Sequence, residues 1–522
     1  MTAAPISSAE WKWAARWAII MILLSTVPYL LAIWLAPPGW QFAGALANPL
    51  DAHAYLAKMK QGEQGYWLAR LTHTPEAHSG VFIYLLYLSL GHAARLTGLS
   101  LVWVFHLVRL LFGLLLTLTA FRFIAHITPQ AAERRLAFIL LISSGGLGWL
   151  GLAVGAFPID LWVPEAFLPH SIYTNPHFPL AMALMLIIIQ LVLWPPANRV
   201  TAWLLTGLFG LMLALVLPFS LLTVWTILAV FLTWRTLSRG RLPWFAVGLI
   251  AMTMFAAAPV LAYDYWISTS HPVFAGWSAQ NITTAPSLLN VGLGYGLTGL
   301  AAMYGLWQFG RRRSIRPEEW LLIMWIITTL VLIYLPLNLQ RRLIMGLHIP
   351  TCLLAAIGLT RFVKAQRWRN RLAMIIITVG IVGTAFSWSL PLLGLMNPQA
   401  RAEVLPQLYL RQDEIIAMRW LDEHSHSTDV VLASPRLGVF VPEYTGAHAY
   451  FGHPFETINA DEKTQRLKAF YRGDVDTVTP PADFVIYGPS EQKLGPLPAL
   501  AGTEPVFTAG EVQVFRLKNF GD

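Results

Sequence analysis

Long apolar runs separated by short, arginine-bearing turns fill most of this chain, and after residue 397 the pattern changes to short runs among frequent charges. A membrane crossing needs about 20 apolar residues for roughly 30 Å of hydrocarbon. Eleven stretches meet that need: 17–35, 101–121, 136–157, 178–194, 200–217, 219–234, 242–262, 288–309, 320–337, 343–362 and 372–395. Pro218 divides what is otherwise one run too long for a single crossing. The first run, without a charge and with no small-residue cleavage site after it, reads as a retained span and not a signal peptide.

Lys and Arg positions set the expected direction. With the N-terminus inside, the inner segments carry eighteen basic residues, among them Arg134, Arg311, Arg312, Arg313, Arg316 and Arg361, and the outer loops carry six: Lys58, Lys60, Arg70, Arg95, Arg341 and Arg342. Short cytoplasmic loops are enriched in such residues. The stretch 81–98 is apolar but holds His92 and Arg95; as a span it would reverse every later loop, so it is expected to lie as a helix in the outer interface. The outer loop is then 36–100. In the tail, 414–423 reads as an amphipathic helix, and 430–433, 484–487 and 512–515 read as strands. The fold class expected is mostly α: a polytopic transmembrane helical domain over 1–397, about 11 spans, and a small extracytoplasmic α/β domain over 398–522.

Composition agrees with lipid as the main solvent: 56% of residues are hydrophobic and 12% charged, against roughly 25% charged in soluble domains. The net charge of +9 sits in loop clusters beside spans, which excludes a nucleic-acid partner as the reason for it. The single Cys352 makes no intrachain disulfide, and no Cys/His spacing of a zinc site occurs.

Polar chemistry concentrates in the outer segments. Asp51, with His53 after it, follows closely on the first span; a carboxylate there serves as a general base or caps the helix that follows. The second outer loop holds Glu165, His170, Asn175 and His177 among aromatics, a composition that suits a hydroxyl-rich ligand or an interfacial belt. Arg341 and Arg342 lie on the side disfavoured for basic residues and suit a lipid phosphate, bound specifically or as a headgroup anchor. Arg109, beside His106, is expected within the second span.

The segments DAHAYLAKMKQGEQGYW, NPHFPLAMAL, QRRLIMGLHIP and, at 434–457, SPRLGVFVPEYTGAHAYFGHPFET resemble the glycosyltransferase C superfamily of polyprenyl-phosphate-sugar-dependent membrane enzymes, in particular its mannosyltransferase-like bacterial members. The resemblance implies inverting transfer of a sugar from a polyprenyl-phosphate donor to an acceptor hydroxyl on a glycan, lipid or protein, at the extracytoplasmic face of a prokaryotic inner membrane. It implies Asp51 as the base, Arg341 and Arg342 on the donor phosphate, and Tyr450, His453 and Glu456 of the tail motif facing the cavity. The residue after Asp51 is Ala52 and the first loop has no Asp-x-Asp, so the paired acids of several members are missing; no cofactor is expected, and a divalent metal, though open, has no support in the sequence. The competing classes are a secondary transporter, against which stands the lack of an internal repeat, a lipid-linked glycan ligase or polymerase, and a non-catalytic scaffold.

Overall fold

The computed structural model describes residues 6–312, 314–474, 480–497, 500 and 503–517; Arg313 lies outside them. A helical segment underlies each of the eleven apolar stretches. Among the described residues, seven helices are long and apolar enough to cross a membrane on their own, and an eighth if Ala131–Ser143 and Gly148–Val154, bent by 42°, form one span. The helices His177–Leu193 and Pro317–Ile333 have 17 residues each, and Leu288–Gly310 is broken at Gly296. The chain is a polytopic, mostly helical membrane protein.

Contacts divide the chain into two compact units: Met1–Pro28, His106–Tyr263 and Ile282–Leu390 in one, and Tyr29–Phe105, Asp264–Asn281 and Pro391–Asp522 in the other. The division does not follow the composition change at 397; the tail shares its unit with the first outer loop.

In the first unit, helix ends are joined by buried ion pairs. Arg134 forks onto Glu10 at 2.7 Å, while Arg361 bridges Glu133 at 2.6 Å and Glu319 at 2.5 Å. All of these residues belong to segments that the basic-residue count assigns to one side. Arginine suits such places because its planar fork gives two charge-assisted bonds per carboxylate. At the bend after Ser143, the Asp160 carboxylate accepts the backbone N–H groups of Gly146 and Gly148 at 2.9 and 3.0 Å. Gly148 opens the short helix Gly148–Gly151, and its amide is one that a helix start leaves without a partner.

The second unit is built on a five-stranded sheet. Its strands are β3 (Val430–Leu432), β4 (His448–Ala449), β5 (Phe484–Tyr487), β6 (Phe507–Ala509) and β7 (Val512–Arg516), ordered β4-β3-β5-β7-β6, with β3 parallel to β4 and β5 and the β7 pairings antiparallel. Successive strand residues point to opposite faces, and each face has its own cover. Val431, Ile486, Val512 and Val514 pack with Ile415, Met418 and Leu421 of the helix Gln412–His424. Leu432, Val485 and Phe515 pack with Leu467, Phe470 and Tyr471 of the helix Ala460–Arg472. A separate pair of short strands, β1 (Trp40–Phe42) and β2 (Tyr409–Arg411), ties the first outer loop to the tail.

Within that loop, Pro49–Glu63 and Leu85–Thr97 pack closely through glycine. A Cβ on Gly91 would lie 1.9 Å from the Met59 carbonyl oxygen and one on Gly62 2.1 Å from that of Leu88, so only a bare backbone permits the approach. Leu85–Thr97 is the helix expected at 81–98. Apolar Phe82, Leu96 and Leu99 at its ends are exposed.

Candidate active site

Pro at the first turn presets the helix Pro49–Glu63, and Asn48 before it adopts the left-handed conformation that asparagine tolerates. Asn48, not Asp51, is the N-cap residue. Asp51 sits in the first turn, where the exposed amides of a helix favour a negative charge. Its side chain is 42% exposed. The Asn48 amide donates to Oδ2, and His453 Nε2 lies 2.9 Å from Oδ1. The Phe455 N–H donates to His453 Nδ1 at 3.1 Å, which assigns the remaining proton to Nε2 and makes His453 the donor to Asp51.

Asp51 and Lys58 are seven residues apart and lie on one helix face. Lys58 is fully buried and reaches Glu456 at 2.5 Å, three residues beyond His453. His73 Nδ1 touches the same carboxylate oxygen at 3.0 Å, and its Nε2 lies 3.0 Å from the Val439 carbonyl. Burial acts to raise the Glu456 pKa, but the Lys58 ammonium and His73 outweigh it and hold the carboxyl well below its usual range. Burial, partly opposed by Glu456, also keeps the His73 imidazole below its ordinary value. The tail turn closes on His73 through Gly452, where a Cβ would lie 2.4 Å from the ring. Gln280, at the end of the helix Pro272–Gln280, donates to the carbonyls of Phe455 and Thr457 at 2.9 and 3.0 Å and so fixes the same turn from another segment.

His53 points into the interior, 2.6 Å from Glu443 and packed edge-on against Phe440. Tyr450, also buried, lines a separate open groove of about 250 Å³ with Glu76, Asn459, Glu462, Lys463 and Arg466. Thus the structure brings Asp51, His453 and Glu456 to one helix face and directs His53 and Tyr450 elsewhere. The sequence does not single out Lys58 and His73, because a lysine within a polar helix and a histidine in a loop carry the signature of solvated groups. Their only signal is the seven-residue spacing of Asp51 and Lys58.

In the other unit, Arg341 and Arg342 lie in the short 3-10 turn Gln340–Ile344. The Arg341 guanidinium stacks 4.7 Å from the centre of the Trp162 ring, a residue of the second outer loop, and Arg342 lies 5.2 Å from that of Phe219. Among the described residues no carboxylate pairs with Arg341, and its buried Nε has no hydrogen-bond partner. The Gly346 N–H donates to the Glu165 carbonyl at 3.3 Å, joining these two loops. Glu165, His170, Asn175 and His177 are all buried. His170 lies 3.4 Å from Ser387 Oγ, and burial lowers its pKa to about 4. His177 begins the helix His177–Leu193, its ring tilted by 42° against that of Phe178 at 4.0 Å. Asn175 has neither amide atom hydrogen-bonded among the described residues. Arg109 is buried within Leu101–Ile127 and donates to the Ile172 carbonyl at 2.8 Å, so it ties the second outer loop to a span. Among the described residues no group of three or more His, Cys, Asp or Glu side chains is placed to hold a metal ion.

A helical membrane domain and an α/β tail whose turn meets an aspartate early in the chain define a polytopic membrane protein with a second compact unit, and the chain shares its fold with several solved structures. The Archaeoglobus fulgidus oligosaccharyltransferase, solved with a tethered acceptor peptide containing the NVT sequon, superposes with a TM-score of 0.52 at 12% identity, over 91% of this chain and 69% of that one. ArnT from Cupriavidus metallidurans, bound to undecaprenyl phosphate, gives 0.52 at 14% identity over 95% and 97%. The mycobacterial arabinofuranosyltransferase AftD gives 0.53 at 15% identity over 94% of this chain and 36% of that chain. No protein-family model and no curated protein sequence matches.

Proposed function

We propose that this protein is a membrane glycosyltransferase that moves a sugar from a polyprenyl-phosphate donor to an acceptor hydroxyl at the extracytoplasmic face of a prokaryotic inner membrane, with inversion. The observation that carries the reading is Asp51 itself: a half-exposed carboxylate at a helix start, held at both oxygens, in a chain with the glycosyltransferase C fold. In the step proposed, Asp51 takes the acceptor O–H proton, the freed oxygen bonds to the anomeric carbon, and the carbon–oxygen bond to phosphate breaks on the opposite side. The bonding pair leaves with the phosphate. Arg341 and Arg342 are assigned to that phosphate, since developing charge on a leaving group is stabilised by fixed cations, and Arg341 has no carboxylate partner among the described residues.

Support for a lipid-phosphate donor comes from ArnT, solved with undecaprenyl phosphate, and for a separate acceptor from the oligosaccharyltransferase, solved with its peptide. Asn175, buried with neither amide atom hydrogen-bonded among the described residues, and its neighbours Glu165, His170 and His177 are assigned to orienting the sugar. The cytoplasmic N-terminus and extracytoplasmic tail follow from the basic-residue count. The test is incubation of the purified chain in lipid with a panel of polyprenyl-phosphate hexoses and pentoses and an acceptor mixture. Release of free polyprenyl phosphate with inverted product supports the reading; retained configuration, or no release with any donor, overturns it.

A further inference from the structure

The turn 452–457 of the tail meets the helix Pro49–Glu63 through two contacts of very different character. Lys58 and Glu456 are sealed from solvent, with side chains 0% and 7% exposed, and His73 completes their hydrogen bonding. Breaking a buried pair leaves an uncompensated charge, so this contact holds the turn in place. Further along the same helix face, His453 meets an Asp51 that is 42% exposed. Water reaches the carboxylate side of this pair and weakens it relative to the sealed one. His453, itself only 4% exposed, therefore makes the weaker of the two polar contacts that dock the turn, and its geometry is defined at every atom. The Phe455 N–H occupies Nδ1, Nε2–H points at Oδ1, and the His453 carbonyl accepts from the N–H groups of Glu456 and Thr457 at 3.0 and 2.8 Å.

We infer that His453 is a positioning residue for sugar transfer: carried by the tail, it fixes the rotamer of the Asp51 carboxylate so that one oxygen is held and the group faces the acceptor hydroxyl in a single orientation. The inference rests on the reading of Asp51 as the base. An aspartate side chain at an exposed first turn otherwise samples several rotamers. Two donors, the Asn48 amide and the His453 imidazole, remove that freedom before substrate arrives, and a base is effective only when held within hydrogen-bond reach of the proton it takes. The tail thereby contributes a side chain that holds a residue of the first loop, within one compact unit. A carboxylate in place of His453 would repel Asp51, and an apolar residue would release it. Glutamine is the conservative replacement, because its side-chain N–H reaches about as far as Nε2.

The experiment compares the full chain in lipid with His453→Ala, His453→Gln and Asp51→Asn, measuring kcat and donor KM with the active donor of the panel above, and records ¹⁵N spectra of histidine-labelled parent protein with the His453→Gln variant to assign the ring. His453→Ala should fold with a modestly lowered melting temperature, since it removes a buried ring, keep donor KM within about twofold, and lose kcat on the order of a hundredfold, as small displacements of a catalytic group do. His453→Gln should recover most of that loss. The assigned ring should carry its proton on Nε2 and none on Nδ1. If His453→Ala turns over like the parent while Asp51→Asn does not, the positioning role is wrong and the base assignment stands. If kcat and KM change together with melting and glutamine gives no rescue, His453 is an anchor of the tail and the inference fails. A proton on Nδ1 overturns it whatever the turnover. An active Asp51→Asn removes the base, and this inference falls with it.

Discussion

Asp51 and His453 are 402 positions apart in the chain and meet at 2.9 Å, with the imidazole donating and the carboxylate accepting. No local pattern connects them; the tail's docking on the first outer loop does. What holds the proposed base therefore depends on how one compact unit folds, and substitutions within that unit separate its roles.

Asp51→Asn should cut transfer by roughly a hundredfold to ten-thousandfold, the usual contribution of a positioned base, while donor binding stays near the parent value. Because Asn48 occupies the cap position, the substitution leaves the cap intact and removes only the base and one acceptor. Steady-state kinetics with labelled donor measure it. An enzyme working within a few-fold of the parent rate rules out Asp51 as the base.

Arg341→Lys should behave like Arg341→Ala. A lysine keeps the charge but has neither the planar fork for a phosphate nor the flat face that stacks on Trp162. Loss of a charge-assisted bond, about 1.5–3 kcal/mol, corresponds to a donor KM raised roughly tenfold to a hundredfold. Parent-like KM in the lysine variant would leave only a headgroup anchor.

Acid should loosen the tail unit. His78 accepts the Leu71 N–H at Nε2 and donates from Nδ1 to the Glu76 carbonyl, and burial lowers its pKa to about 4 from 6.5. The unfolded chain binds more protons across that window, so the contribution of this group is complete above about 6.5 and is lost as pH falls through the window towards 4. His73 and His448 are shifted in the same direction, again by burial first. Melting temperature should drop on acidification from neutral, and His78→Gln should flatten that slope. A slope unchanged by the substitution removes His78 from the account.

Gly91→Ala should lower the melting temperature, since its Cβ would lie 1.9 Å from the Met59 carbonyl oxygen and two helix backbones must separate to admit it. Overpacking of this kind costs about 1–3 kcal/mol. Alanine is otherwise the better helix former, so a neutral or stabilising result would mean that the two helices do not pack as described.

Reporter fusions after Asn397 and after Arg311 should give opposite topological signals, the first extracytoplasmic and the second cytoplasmic. Equal signals would remove the proposed orientation and with it the outer placement of the site.

Much of the architecture is legible in the amino-acid sequence. The eleven apolar stretches are helical, because a run of about 20 apolar residues leaves the backbone no partner in lipid except itself. Strands at 430–432, 484–487 and 512–516 fall where β-branched and aromatic runs lie between turns. Asp51, Arg341 and His453 each stand out as polar groups in outer segments. Other features are decided only in three dimensions. The strands β1, β2 and β4 are not marked in the sequence, and β1 and β2 form because segments far apart in the chain align. Lys58 and His73 look solvated in the sequence, and their burial with Glu456 becomes tolerable only because each supplies the other's charge or hydrogen bond. A charge pattern along one chain records which groups are present; which of them pair is set by packing between segments hundreds of residues apart, and that pairing determines what holds Asp51.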